Sequence, residues 1–189
     1  MTFELELGHL GGVEIALKAL RRPMNPDLVT ERVWPSDEDF VLMERLIRRG
    51  ADHSKFARMI STGLTIKAPR YWWMEFSTYR IGIESVSEST MHRKVSEPFT
   101  VDDFEHDIGA ETLADLNKCR MDVMSDLRYK QLYQLKAMLP EGFLQTRDIV
   151  VNYQTLRRMF QQRHDHRLPH WRKFCSMMDG FPLAFLIVT

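Results

Sequence analysis

The order of hydrophobic and polar residues along the chain predicts a helix-rich fold with a few short strands. Residues 3–7 alternate apolar with acidic side chains, and they are predicted to form a strand, as are residues 62–66. Residues 143–151 are predicted to be extended or mixed, and the apolar C-terminal run AFLIVT is predicted to be a strand or a packed tail. Helical spacing and capping residues predict helices over residues 13–22, 37–49, 52–59, 69–80, 110–139 and from residue 152 onward.

Several residues mark where these helices begin and end. Ser36 is suited to an N-cap, and the three acidic residues after it favour the positive end of a helix dipole. Pro69 suits a first helical position, because its fixed φ and missing N–H cost nothing there. Residues 98–109 are acidic and are predicted to be a loop. No repeat or linker-like stretch divides the sequence, so we predict one helix-dominated domain over residues 1–189.

Composition excludes several classes of protein. The 189 residues carry 26 basic and 26 acidic side chains, so no overall charge attracts a polymeric nucleic acid or a membrane surface. The two cysteines, Cys119 and Cys175, fit neither a metal-ligand spacing nor a disulfide framework. The N-terminus lacks a signal-peptide core, and no apolar run approaches the ~18 residues of a membrane span. We therefore expect a soluble cytoplasmic protein.

The most informative stretch covers residues 67–92. Aromatic residues line one face of its predicted helix, a glutamate lies within that face, and hydroxyl-bearing residues follow. The face consists of Trp72, Glu75, Phe76 and Tyr79, and Arg80 closes the helix. Such a set suits a flat heterocycle that carries a phosphate. The plainer interpretation is an amphipathic helix with one charge on its apolar face.

A second helix, which begins at Asn152, ends in a charged residue on its apolar face. Leu156, Met159, Phe160 and Arg163 follow the spacing i, i+3, i+4, i+7, and Asn152 lies on the same face. Polar groups at both ends of a buried stripe suggest that the helix ends reach a ligand. Alternatively, Arg163 lays its aliphatic stem on the core and keeps its guanidinium in water.

The segment after this helix offers two further interpretations. His164, His166 and His170 could hold a metal ion, but Pro169 interrupts a continuous helix, so a polar loop is favoured and no metal site is predicted. Basic residues interleaved with aromatic ones could contact a nucleic-acid backbone, but the neutral net charge favours a small anion such as one nucleotide phosphate. No phosphate loop or nucleophile motif is present, so a cofactor would carry any chemistry.

The order of motifs resembles that of the flavin-dependent thymidylate synthases, of which divergent members occur in phage-like genomes. The family has an alanine-proline before a helix that ends in Arg-His-Arg, and here residues 68–69 are followed at matching distance by Thr78-Tyr79-Arg80. Glu75 stands where the family has a glutamine that contacts the nucleotide. Gly50 and residues 53–56 are similar to the family's Gly-His-x-Ser region. Residues 139–140 and 146–147 are similar to its Leu-Pro and Thr-Arg pairs.

The last motif lies on the helix that Asn152 opens. Asn152 stands eleven residues before Arg163, as the family's Asn-x-Arg motif stands before its nucleotide-activating arginine. Three motifs depart from the family pattern. Only the last residue of Arg-His-Arg is kept, and Asn-x-Arg becomes Asn152-Tyr153-Gln154. Ser-x-Arg-Tyr becomes residues 89–92 with one insertion, which removes a phosphate-binding arginine unless Arg93 or Arg147 replaces it.

The resemblance implies a helix-rich α/β (α+β) domain with a small sheet, which assembles as a homotetramer. It implies that FAD binds, that dUMP is methylated to dTMP, and that methylenetetrahydrofolate and NADPH are co-substrates. The residues implied to bind the cofactor are His53, Ser54, Thr78, Tyr79, Arg80 and Asn152. Those implied to bind the nucleotide are Glu75, Ser87, Glu88, Ser89, Arg147 and Arg163.

Arg163 is also the implied catalytic residue, because a fixed cation there would stabilise negative charge on the uracil ring. Three alternatives remain open: hydroxymethylation by the same chemistry, another pyrimidine nucleotide as substrate, and a catalytically silent flavin- or nucleotide-binding relative.

Overall fold

The computed structural model describes residues 1–25, 32–89, 96–125 and 129–189, and of residues 129–131 only the backbone. Residues 90–93 therefore lie outside the described residues. They include most of the segment compared with the Ser-x-Arg-Tyr motif, and Arg93, one of the two suggested replacements for its arginine. Within the described part of the chain, the strands are β1 (Glu4–Gly11), β2 (Ser61–Pro69), β3 (Ile83–Ser87) and β4 (Leu144–Asn152). The α-helices are α1 (Val13–Arg21), α2 (Asp37–Arg48), α3 (Arg70–Phe76), α4 (Ala110–Ser125), α5 (Tyr129–Met138), α6 (Tyr153–Arg163), α7 (Pro169–Met177) and α8 (Phe185–Val188).

The strands form one antiparallel sheet in the order β1-β2-β4-β3. This confirms the prediction of a helix-rich α+β fold with a small sheet, and it confirms the strands predicted near residues 3–7 and 62–66. The strand β3 was not predicted, because the hydroxyl-rich run was interpreted only as a ligand loop. Most of its side chains are exposed, so its sequence lacks the alternation of a half-buried strand.

The chain divides into two compact units. Unit 1 comprises Met1–Glu4, Ile66–Thr78 and Val86–Arg147, and unit 2 comprises Leu5–Thr65, Tyr79–Ser85 and Asp148–Thr189. The single domain over residues 1–189 stays a prediction.

Unit 1 is built on aromatic packing. Trp72 and Phe76 are 0% and 2% exposed, and the ring of Trp72 lies 5.1 Å from that of Phe3 and 4.8 Å from that of Trp73. The aromatic face predicted in residues 69–80 is therefore mainly core. The helix itself is shorter than predicted: α3 ends at Phe76, not at Arg80, and Pro69 is its N-cap.

The helix predicted over residues 110–139 is two helices in the structure. Leu116 and Val123 of α4 and Leu135 of α5 belong to one buried hydrophobic cluster. A continuous helix would separate Leu116 from Leu135 by about 28 Å, at 1.5 Å per residue. The prediction of one long helix is therefore wrong, and packing of α4 against α5 is what completes this cluster.

Unit 2 packs α1, α2, α6, α7 and α8 around a second set of buried side chains. Ser36 caps α2 as predicted, and with Asp39 it forms a complete capping box. The C-terminal run forms α8, so of its two predicted forms the strand is wrong and the packed tail is correct. Leu186 and Ile187 are both fully buried, which a helical turn allows but the opposite-facing side chains of a strand would not.

Candidate functional site

The start of α6 is held by the segment before β3. The Asn152 side chain accepts a hydrogen bond from the Thr155 N–H at 2.9 Å, which makes it the N-cap of the helix. The Asn152 N–H donates to the carbonyl of Gly82 at 3.0 Å, and the Thr155 hydroxyl donates to the carbonyl of Ile81 at 2.8 Å. Gly82 has φ 73°, and a Cβ atom there would lie 2.0 Å from Asn152 Nδ2. Only glycine fits at this position without displacing the cap.

The buried stripe of α6 fixes the position of Arg163. Leu156 and Met159 are fully buried, and the hydroxyl of the buried Tyr153 donates to the carbonyl of Pro182. Burial raises the pKa of Tyr153, so this phenol stays neutral. Arg163 is the last residue of the helix and is half-buried.

The guanidinium of Arg163 contacts three side chains: Tyr79, His166 and Trp171. Arg163 Nε donates to the Tyr79 hydroxyl at 3.0 Å, and Arg163 Nη1 lies 2.8 Å from His166 Nε2. The guanidinium carbon lies 4.8 Å from the centre of the Trp171 ring, which is completely buried. These contacts give the cation a fixed orientation, which a guanidinium extended into water would lack.

A small cleft lies at the other end of α6. It has a volume of about 290 Å³ and is lined by Ala51, Arg58, Ile81, Asn152, Gln154, Thr155 and Arg158. Two arginines, two amides and a hydroxyl are suited to phosphate oxygens, since the arginines supply charge and the other groups supply hydrogen bonds.

The predicted cofactor residues His53 and Ser54 lie in different surroundings. Ser54 is 1% exposed, and its hydroxyl lies 2.9 Å from the Gly50 carbonyl and 3.0 Å from Gln154 Oε1. A hydroxyl has one proton, so it satisfies both partners only if the Gln154 amide turns its NH₂ toward Ser54. Ser54 therefore connects the loop before residue 55 to α6. His53 is exposed and lines a cavity of about 760 Å³, which Arg45, Arg49 and Lys55 also line.

In unit 1, Arg147 is the most constrained of the predicted site residues. Its Nε and Nη2 atoms donate to Gln145 Oε1 at 3.1 and 2.9 Å, and its guanidinium lies 4.5 Å from the centre of the Trp73 ring. The Trp73 indole N–H in turn donates to the Gln145 carbonyl at 2.8 Å. Burial lowers the pKa of Arg147, but an arginine remains charged at neutral pH.

The other predicted residues of unit 1 lie around the ends of α3 and β3. Glu88 Oε1 accepts a hydrogen bond from the Thr146 N–H at 3.0 Å, so its carboxylate is held at the backbone of the residue that precedes Arg147. Ser87 and Ser89 are exposed. Glu75 is half-buried, and its carbonyl accepts a hydrogen bond from the exposed Thr78 hydroxyl at 2.7 Å.

The structure brings Tyr79 to Arg163, and it places Asn152 in the cationic cleft. It leaves Arg80 exposed. Sequence reasoning missed the roles of His166 and Trp171 around Arg163, and of Gln145 and Trp73 around Arg147. For His166 and Trp171, the one local signal in the sequence was the spacing of three residues between Arg163 and His166.

The three histidines after α6 lie in different surroundings. His164 lies 3.0 Å from the Phe160 carbonyl, His166 contacts Arg163, and His170 is 3% exposed within α7. Among the described residues no group of three or more histidine, cysteine or acidic side chains could hold a metal. In the same part of the chain, none of the helices has both the length and the hydrophobicity needed to cross a membrane.

No family model and no curated relative matches the sequence. The structure does match solved structures along nearly its whole length. One is thymidylate synthase X from Helicobacter pylori with FAD and dUMP, with TM-score 0.73, 17% identity, and coverage of 98% of this chain and 96% of that chain. Another structure of the flavin-dependent enzyme from Helicobacter pylori, complexed with FAD and dUMP, has TM-score 0.74, 17% identity and coverage of 98% and 97%.

A third similar structure is the UMP/dUMP methylase PolB from Streptomyces cacaoi bound with 5-Br dUMP. Its TM-score is 0.64 at 13% identity, over 95% of this chain and 89% of that chain. The chain therefore has the fold of the flavin-dependent thymidylate synthases, and the resemblance drawn from its motifs is confirmed at the level of the fold.

Proposed function

We propose that this protein, which has the fold of the flavin-dependent thymidylate synthases, methylates dUMP to dTMP with methylenetetrahydrofolate as carbon donor and NADPH as reductant. The observation that carries the proposal is the fixed guanidinium of Arg163, the residue that matches the family's nucleotide-activating arginine. Two hydrogen-bonding partners and an aromatic ring fix the direction of its charge, as a nucleotide-activating cation requires.

FAD fits the chemistry of the residues at the start of α6. A dinucleotide carries a diphosphate, and Arg58 and Arg158 supply two cations in the cleft that Asn152 also lines. We propose that these residues hold FAD together with His53, Thr78, Tyr79 and Arg80, and that Ser54 acts indirectly, through Gln154. When bound, FAD would supply the hydride chemistry that no side chain of the protein can supply.

Arg163 would act on the pyrimidine ring. A guanidinium held by Tyr79 and His166 cannot rotate freely, so it is already oriented when negative charge develops on a ring oxygen. Stacking on Trp171 shields one face of the cation from water, which strengthens its interaction with that charge.

Arg147 would bind the nucleotide phosphate, replacing the arginine that the family has downstream of Ser89. Its guanidinium is fixed on Trp73 by Gln145, so it is prepared to accept an anion without a large loss of side-chain entropy. Glu75, Ser87, Glu88 and Ser89 complete the proposed nucleotide-binding set.

Flavin binding is the first experiment, because every part of the proposal depends on it. Titration of oxidised FAD with micromolar protein should quench flavin fluorescence, and a protein that binds FAD tightly should be yellow when purified. In the absence of oxygen, reduced flavin should then be oxidised only when dUMP and methylenetetrahydrofolate are both present. Absence of quenching at every protein concentration would refute the proposal, while flavin binding without turnover would identify a catalytically silent relative.

UMP is a second candidate substrate, because PolB is named as a UMP/dUMP methylase. Competition of UMP and dUMP for the flavin-loaded protein distinguishes the two. Mass spectrometry of the product distinguishes a methyl from a hydroxymethyl group, which differ by one oxygen atom.

We also propose that the protein is a cytoplasmic homotetramer, as the resemblance implies. The chain has a mass of 22.3 kDa, so light scattering should give about four times that value. A stable monomer over a wide concentration range would refute the tetramer.

A further inference from the structure

His166 lies just after α6, and both its backbone N–H and its backbone carbonyl are hydrogen-bonded. Its N–H donates to the Arg163 carbonyl at 3.0 Å. Its carbonyl accepts a hydrogen bond from Arg172 Nη1 at 2.5 Å. The half-buried ring packs edge-on against Trp171, with 6.3 Å between the ring centres. The direction of the imidazole is therefore set by the fold.

Both ring nitrogens of His166 face hydrogen-bond donors. Nε2 lies 2.8 Å from Arg163 Nη1, and Nδ1 lies 3.2 Å from the backbone nitrogen of Leu168. A guanidinium has no acceptor, and neither has a backbone N–H. A neutral imidazole has one acceptor nitrogen, so it can satisfy only one of these two donors at a time.

The Arg163 contact is the stronger of the two. It is shorter, and hydrogen bonds from a charged donor are roughly twice as strong as those between neutral groups. The imidazole should therefore carry its proton on Nδ1 and accept from Arg163 through Nε2. A protonated imidazolium would accept from neither donor and would place a second positive charge beside the guanidinium.

We propose that His166 is a positioning residue for Arg163: a neutral imidazole that accepts from the guanidinium through Nε2 and fixes the direction in which that cation faces a bound pyrimidine nucleotide. The hydrogen bond itself is argued from the geometry alone. Its consequence for nucleotide binding rests on the proposed function, so the two are tested separately.

The hydrogen bond is tested by proton–nitrogen correlation spectra of the histidine rings in the full-length protein, without nucleotide. The His166 signals are assigned by their loss in His166→Gln. We expect Nδ1 to be protonated and Nε2 unprotonated at neutral pH. A proton on Nε2, or on both nitrogens, would overturn the proposal.

The positioning role is tested by titrating flavin-loaded protein with dUMP. His166→Leu removes the acceptor, and His166→Gln keeps an acceptor near the position of Nε2. Loss of a hydrogen bond to a charged group should weaken dUMP binding about tenfold to a hundredfold in His166→Leu, and His166→Gln should recover much of that loss. His164→Leu is the matched control, since His164 is exposed and contacts Phe160.

The outcomes separate the two claims. Equal losses in His166→Leu and His166→Gln, with unchanged thermal melts, would show that the acceptor does not matter and would overturn the positioning role. Unchanged dUMP affinity in His166→Leu would do the same. If the wild-type protein binds no dUMP at any concentration, the proposed function fails, while the histidine spectra still decide whether His166 accepts from Arg163.

Discussion

Replacement of Arg163 by lysine tests whether the geometry of the cation matters or only its charge. In the wild type, two different nitrogens of the guanidinium contact Tyr79 and His166, at 3.0 and 2.8 Å. The single nitrogen of a lysine cannot occupy both positions, and it lacks the planar group that stacks on Trp171. Arg163→Lys therefore keeps the charge and loses at least one hydrogen bond together with the fixed orientation.

The expected loss can be estimated from these contacts. A hydrogen bond to a charged group contributes about 1.5–3 kcal/mol. A donor oriented toward charge that develops in the transition state contributes about 2.7–4 kcal/mol, which corresponds to about a hundredfold to a thousandfold in rate. We therefore expect Arg163→Lys to lower turnover by that factor. Its effect on stability should be smaller, about 0.5–1.5 kcal/mol, because the residue is only half-buried.

The assay is oxidation of reduced flavin by dUMP and methylenetetrahydrofolate in the absence of oxygen, with thermal melts as the folding control. Arg167→Lys is the matched control, since Arg167 is an exposed arginine four residues further along the chain. Turnover of Arg163→Lys equal to that of wild type would refute the role of the fixed guanidinium and would favour an arginine that only covers the core.

Two further predictions concern stability. Gly82→Ala should lower the free energy of unfolding, measured by urea denaturation, by about 2–3 kcal/mol, because an alanine at φ 73° is strained and its Cβ would displace the Asn152 cap. Gly109→Ala is the control: at φ 80° with no atom within 4 Å of its Cβ, it should lose only the free energy of the backbone strain. Equal losses in the two variants would exclude the clash with Asn152. Burial alone would raise the pKa of Asp39, but hydrogen bonds from Ser36 and Arg21 outweigh burial and lower this pKa below its ordinary value. Asp39 therefore stabilises the fold above its unfolded pKa of about 3.9, and this stabilisation is lost as the pH falls through the folded pKa. In thermal melts, the difference in stability between wild type and Asp39→Asn should be largest at pH 7 and should decrease toward pH 3. A difference that does not change with pH would contradict the hydrogen bonds of the Asp39 carboxylate with Ser36 and Arg21.

Features set by neighbouring residues could be predicted from the sequence. The N-cap Ser36 and the acidic residues after it define the start of α2, and the spacing from Asn152 to Arg163 defines α6. Capping hydrogen bonds and helical periodicity connect residues within about four positions, so the sequence alone specifies them. The placement of Arg163 at the end of a buried stripe followed from the same periodicity.

Features that depend on distant residues were decided by the tertiary structure. The aromatic face of α3 is core because Trp72 packs on Phe3, and the predicted long helix became α4 and α5 because its two halves complete one cluster. Tyr79 contacts Arg163 from 84 positions away, and Ser54 contacts Gln154 from 100 positions away. No periodicity encodes such contacts, because they arise only when packing within unit 2 brings separate segments of the chain together.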